Sequence, residues 1–185
     1  FYYIGGGYEQ FNGLGLEKIA KYLKLFGLGK AAGIDLAGEA SGFIPTAAWK
    51  QEKTGEPWYI GDTYHLAIGQ GYLLVTPLQV ANYTTAFANG GRIYQPRLVK
   101  EILNSDESVY QTMAPKIIGQ DMVSADNLQI VRQAMRQTVL AGSARSLQSL
   151  PVSAAGKTGT AQFDSSKATH SWFTGFAPFD QPKIV

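Results

Sequence analysis

The chain has 185 residues, 45% of them hydrophobic, with a formal charge of +2 and the two signs intermixed. That length supports one domain-sized core, and the mixed charge leaves no basic stripe of the kind nucleic-acid binding requires. With no cysteine and only His65 and His170, far apart in sequence, disulfides, thiolate metal sites and a local zinc motif are excluded, and each histidine is expected to pack or hydrogen-bond.

No apolar run approaches the roughly 20 residues needed to span a bilayer, and no signal-peptide pattern opens the chain. In chain order, Gly5-Gly6-Gly7 reads as a loop. Leu16, Ile19, Ala20, Leu23 and Phe26 recur at helical spacing, with Glu17 and Lys21 four apart on the wet side and Gly27 as a stop. Glu52 to Tyr59 reads as an exposed connecting loop. Gly69-Gln70-Gly71 lacks the third glycine and the preceding strand of a dinucleotide fingerprint, so it is taken as turn punctuation. Thr76-Pro77-Leu78-Gln79 is a capping box with proline at the first helical position, opening a helix that runs to Asn89-Gly90-Gly91. Arg92 to Leu103 predicts one or two strands, with Pro96 marking an edge or an interruption. Ser124 can cap a further helix with an apolar stripe of Leu128, Val131, Ala134, Met135 and Thr138, ending near Gly142.

The most informative stretch is Gly156-Lys157-Thr158-Gly159-Thr160-Ala161-Gln162, where one cation, two hydroxyls and two glycines share an extended run. A polar break at Asp164-Ser165-Ser166-Lys167 separates it from a second, aromatic-rich extended run, Ser171 to Pro178. The pair predicts a hairpin with a longish loop. Strict alternation puts Lys157 and Gly159 on one face and Thr158 and Thr160 on the other. The cation and hydroxyls can therefore converge only if the strand is used edge-on or is locally twisted, and the sequence leaves both open. Helices followed by a hairpin that must cover an apolar face predict an α+β fold, helices packed on an antiparallel sheet.

Lys-Thr-Gly is one of three elements found in active-site serine enzymes that react with penicillins, beside Ser-x-x-Lys and a Ser-x-Asn type triad. The other two are absent: none of the eleven lysines has a serine three places upstream, and no serine has an asparagine two places downstream. A phosphate-binding loop, which Gly156-Lys157-Thr158 mimics, would need glycine where Pro151 stands.

Gly38 to Thr46, Gly61 to Gly71, Thr76 to Gln79, Lys157 to Gln162 and His170 to Pro178 resemble, in order, the transpeptidase domain of class B penicillin-binding proteins, the cell-elongation enzymes in particular. The resemblance implies the penicillin-recognising serine transpeptidase and β-lactamase-like fold, incomplete here. Residues 1–185 would be the C-terminal portion of a single transpeptidase domain, with the nucleophilic serine and its lysine lying upstream, so that the chain holds no catalytic residue and is inactive alone. It implies serine acyl transfer on D-alanyl-D-alanine stem peptides in cell-wall cross-linking, with no cofactor and no metal. Lys157, Thr158, Gly159 and Thr160 would bind substrate: the lysine by charge, the threonines by hydroxyls offered to a carboxylate, the glycine by letting the ligand backbone approach, and the Thr160 amide as an oxyanion donor. Partners would be peptidoglycan stem peptides, β-lactam antibiotics and other elongation proteins in the membrane. The location would be periplasmic, at the outer face of the bacterial inner membrane. A β-lactamase and a penicillin-sensing domain without enzyme activity are the alternatives; the first would need a base to hydrolyse the acyl-enzyme, and no glutamate can be given that role from sequence.

Overall fold

The computed structural model describes residues 1–162 and 166–185. Five helices come first: α1 (Tyr2–Gly6), α2 (Gly15–Leu25), α3 (Ala47–Thr54), α4 (Ile60–Ala67) and α5 (Pro77–Asn89). Four short strands follow, β1 (Ile93–Tyr94), β2 (Glu101–Leu103), β3 (Val109–Thr112) and β4 (Ile117–Gly119), then α6 (Ala125–Leu140), a 3-10 turn over Arg145–Ser149, and β5 (Ala155–Ala161) and β6 (His170–Phe176). The strands form antiparallel pairs, β1 with β4, β2 with β3 and β5 with β6. This is the expected mixture of helices and antiparallel strands. The expected polar break between β5 and β6 lies partly outside the described residues.

The capping box at Thr76 forms as read: its hydroxyl accepts from the Gln79 amide at 3.1 Å, and the Gln79 side chain accepts in return from the Thr76 amide at 2.9 Å. Gly90, in the left-handed region at φ 82°, closes the helix. Gln79 does more than cap, because its Nε2 donates to the Lys30 and Ser41 carbonyls, both at 2.8 Å. The start of α5 thereby ties down two loops that the sequence does not connect to it.

α6 begins at Ser124, whose hydroxyl accepts from the Asn127 amide at 3.3 Å. Its buried face differs from the predicted stripe: Leu128, Met135 and Val139 are buried, whereas Val131 and Ala134 are exposed. Arg132 takes the inward place that Val131 was expected to fill. Its guanidinium donates to the carbonyls of Phe87 at 2.5 Å, Ala88 at 2.7 Å and Phe179 at 2.8 Å, and lies 5.0 Å over the Phe176 ring. Hydrophobic periodicity cannot register a half-buried cation that is drawn inward by its hydrogen bonds and aromatic contacts rather than by apolar transfer.

Two further expectations need correction. Gly5 and Gly6 belong to α1 rather than to a loop, and they are glycine because α1 lies hard against α4: an added Cβ would fall 2.3 Å from the Ala67 Cβ at Gly5 and 2.2 Å from the Tyr64 ring at Gly6. Glu52 to Thr54 is the last turn of α3, and the chain re-enters a helix at Ile60, so the loop between them is short. Lys50, only 2% exposed, explains why both helices stay in place. Its ammonium lies 2.7 Å from the Asp62 carboxylate and 4.5 Å over the Tyr59 ring, while Asp62 also accepts from the Tyr59 amide at 2.8 Å to cap α4.

Helices α5 and α6 lie on one face of the β5–β6 hairpin, burying Ala88, Met135, Ala155 and Phe176 together. A second cluster joins Ala20, Leu28 and Ile44 to Leu23, Leu73, Val75 and Tyr83. The accessible surface is 12062 Å², against about 8,700 Å² for a self-contained domain of this mass. Part of the excess is an apolar trough of about 540 Å³ lined by Ile19, Leu23, Phe26, Leu66, Val80 and Tyr83.

Two outcomes follow from this packing. Helix propensity alone would make Gly5→Ala stabilising by about 1 kcal/mol, but the contact with Ala67 makes it destabilising by about 1–3 kcal/mol, as urea unfolding of the two forms would measure. The second concerns acid. Burial pushes the Glu39 carboxyl up, but amide donors from Ala32, Gly33 and Ile34 outweigh this and leave it below its ordinary 4.5. Burial likewise pushes Asp62 up, while the Lys50 bond and the Tyr59 amide leave it below 3.8; the Leu98 and Val99 amides hold Asp35 below 3.8. Carboxyls held low stabilise the fold above their unfolded values and lose that contribution as pH falls through the folded ones. The thermal midpoint should therefore hold down to about pH 4.5 and fall progressively below it, and Glu39→Gln, which cannot titrate, should fall less steeply over that range.

A cleft along the free edge of the Lys157 strand

Strand β5 pairs with β6 in an unbroken register from Ala155↔Phe176 through Lys157↔Thr174 and Gly159↔Trp172 to Ala161↔His170. Directly opposed residues share a face, and the Thr174 hydroxyl lies 2.7 Å from that of Thr84 on α5. Lys157 and Gly159 therefore look toward α5. Thr158 is turned the other way, and its hydroxyl lies 2.6 Å from that of Ser143, just past the end of α6. The alternation holds, and the edge-on alternative is the one that the geometry supports. Among the described residues no strand pairs with the second edge of β5. Along that edge Lys157, Thr158, Gly159 and Thr160 all line one open cleft of about 1220 Å³.

The opposite wall comes from α5, through Val80 and Tyr83, and from the turn after α4. Gly69 and Gly71 in that turn both take left-handed backbone, φ 75° and 74°, which swings Gln70 across the cleft to donate to the Thr160 carbonyl at 3.3 Å. Gly69-Gln70-Gly71 is a turn, as its sequence suggests, but one that reaches the strand. The Lys157 ammonium donates to the neighbouring Thr158 carbonyl. No described lining residue carries a carboxylate, while His65 and His170 both reach the cleft. Burial pushes the Tyr83 phenol up, keeping it neutral. The cleft thus offers one cation, several hydroxyls and an unpaired strand edge, a set that suits an extended anionic ligand better than a metal or a neutral apolar one.

Three residues at this site escaped the sequence. Ser143 sits in a turn with no motif around it, Thr84 lies inside a helix, and Gln70 reads as punctuation; each becomes visible only when the fold brings distant segments together. The two glycines, by contrast, separate cleanly. At Gly156 a Cβ would fall 2.5 Å from the Phe173 ring and 2.8 Å from the Thr174 carbonyl oxygen, whereas at Gly159 the nearest atom is the Trp172 Cβ at 3.4 Å. Gly156 is required by the hairpin, and Gly159 is required only if something approaches it from outside. Gly156→Val should destabilise by about 1–3 kcal/mol or more. Gly159→Val should leave the unfolding midpoint nearly unchanged, and comparing the two melts checks the distinction.

Comparison with known proteins agrees with this architecture. Residues 8–185 match the family model described as the penicillin binding protein transpeptidase domain. The peptidoglycan D,D-transpeptidase MrdA of Haemophilus influenzae is 33% identical over 200 residues, an alignment that covers 96% of this chain and 30% of that protein. The Escherichia coli K12 protein of the same name is 30% identical over 192 residues, covering 93% and 30%. A Helicobacter pylori penicillin-binding protein 2 solved in complex with MreC superposes with a TM-score of 0.76 at 30% identity, covering 98% of this chain and 32% of that one. The Pseudomonas aeruginosa penicillin-binding protein 2 in complex with WCK 5153 superposes with a TM-score of 0.75 at 35% identity, covering 92% and 37%. The chain thus spans about a third of the length of the relatives it matches. It belongs to the class B penicillin-binding protein transpeptidase family.

Proposed function

We propose that residues 1–185 form the C-terminal portion of one transpeptidase domain and supply the substrate-binding wall of a peptidoglycan D,D-transpeptidase. The observation that carries this reading is the unpaired edge of β5, where a cation, hydroxyls and a glycine open to approach line one cleft. The nucleophile belongs to a preceding part of the polypeptide, on a segment bearing Ser-x-x-Lys. The apolar trough supports such a neighbour, since it shares Gly69, Val75, Val80 and Tyr83 with the cleft and would otherwise remain in water.

The serine hydroxyl adds to the penultimate D-alanine carbonyl of a stem peptide, the C–N bond breaks, and the terminal D-alanine leaves with the proton as its amine. An amine of a neighbouring strand then attacks the ester, forming the cross-link amide and returning the serine hydroxyl. In this scheme Lys157 supplies positive charge beside the substrate carboxylate, and Thr158 and Thr160 offer hydroxyls to it. Gly159 lets the peptide, or a β-lactam in its place, lie along β5 as an added strand. The Thr160 amide faces the developing oxyanion, a contact of a kind that contributes about 2.7–4 kcal/mol to transition-state stabilisation. The enzyme would work in the periplasm at the outer face of the inner membrane, among other elongation proteins. No helix among the described residues is long and apolar enough to cross a membrane.

Lys157→Met in the full-length protein tests the reading, because it removes the charge at similar length from an exposed position and opens no cavity. Acylation by a labelled penicillin should slow by ~10²-fold or more, with the unfolding midpoint nearly unchanged. A rate within about twofold of the parent would be too small for a transition-state contact and would remove Lys157 from the site.

A further inference from the structure

We propose that Ser143 is a positioning residue for carboxylate recognition, acting through the Thr158 hydroxyl; the inference rests on the function proposed above and adds to it a residue outside the cleft. Ser143 is not among the residues that line the cleft, yet its Oγ lies 2.6 Å from the Thr158 Oγ1, which is.

The turn that carries Ser143 is held firmly against the strand it touches. The Ala141 and Gly142 amides both donate to the Gln137 carbonyl, at 2.8 and 3.1 Å, and the Ala144 amide donates to that of Thr138 at 3.1 Å. Gln148 caps the next two carbonyls, Val139 at 3.0 Å and Leu140 at 2.7 Å. No side chain fits at Gly142, where a Cβ would fall 2.8 Å from the Thr138 Cα. Arg136 bolts the helix to the strand by donating to the Ala154 carbonyl at 2.6 Å, immediately before β5, and Ala144 is itself buried. The Ser143 main chain is therefore held in place beside Thr158, and the hydroxyl needs only its own rotamer to meet the Thr158 Oγ1.

Hydrogen-bond directionality decides what such a pair does. Each hydroxyl has one proton to give and two lone pairs to accept with, while a carboxylate only accepts. When Thr158 donates to a ligand carboxylate it has no proton left for Ser143, so Ser143 must donate to Thr158. The result is a chain running from Ser143 through Thr158 to the carboxylate, in which each bond polarises the next. Ser143 also selects among the staggered positions of the Thr158 side chain, favouring the one that aims its proton at the cleft. Ser143 touches no reacting atom. It affects how firmly a carboxylate is held and not how fast the bound ligand reacts.

The test compares benzylpenicillin with its methyl ester, which lacks the carboxylate, on the full-length protein, following acylation rate against concentration. Ser143→Ala should raise the half-saturating concentration for benzylpenicillin by about two- to tenfold, the size of one hydrogen bond between neutral groups. The limiting rate and the unfolding midpoint should barely change, Ser143→Thr should restore the parent behaviour, and the methyl ester should react alike with parent and Ser143→Ala. Lys157→Met is the arm that reports on the proposed function itself. If Lys157→Met slows labelling by ~10²-fold or more while Ser143→Ala leaves the benzylpenicillin curve unmoved, the function stands and the role of Ser143 is overturned. If Ser143→Ala weakens the acid and the ester equally, Ser143 supports the strand without orienting a carboxylate donor, and the inference is likewise overturned.

Discussion

The cross-strand pair Ala155–Phe176, wedged against Ala88 of α5 and Met135 of α6, fixes where the hairpin sits, and the cleft depends on it. Alternation along β5 then determines the rest. With Ala155 facing the helices, Lys157 and Gly159 must face the same way and Thr158 the other, and a slip of one residue would exchange them. Arg132 reinforces that placement by holding carbonyls at the end of α5 and after β6 together under the Phe176 and Phe179 rings. The buried pair at the base of the strand thus controls the orientation of a cation two residues away, at the rim.

The side of the hairpin turned to α5 is only partly covered. Hydroxyl contact between Thr84 and Thr174 joins helix to strand near the middle of the hairpin, and beyond it the wall opens into the cleft and the adjoining trough. Apolar side chains such as Ile4, Leu14, Tyr22 and Ile68 remain well exposed around that opening. An exposed patch of this extent suits a surface that something else covers. The proposed arrangement, a preceding segment that carries the nucleophile laid into the trough, would cover these side chains and bring a serine to the β5 edge in one step.

Much of this could be read from local chemistry. The Thr76 capping box, the Ser124 cap, the Gly27 stop and the β5–β6 pairing are each encoded within a few residues, and they form where the sequence puts them. Lys157, Thr158, Gly159 and Thr160 stand together in the sequence, and all four line the cleft. What could not be read depends on approach between distant segments. Gly5 and Gly6 look like a loop until α4 is placed beside them, Arg132 looks like a wet-side cation until three carbonyls surround it, and Lys50 looks exposed until Asp62 comes within 2.7 Å. Ser143 belongs to the same class. A serine three residues past a helix has no signature, and only the closure of the turn onto β5 gives its hydroxyl a partner.

A crystal structure of the full-length protein acylated by a penicillin would test the central claim most directly, namely that the free edge of β5 is the docking edge. The account predicts the adduct lying along that edge beside Gly159, with its carboxylate within hydrogen-bonding distance of the Thr158 and Thr160 hydroxyls and near the Lys157 ammonium, and with Ser143 still against Thr158. An adduct whose carboxylate lies away from β5, with the strand edge left open to water, would contradict it.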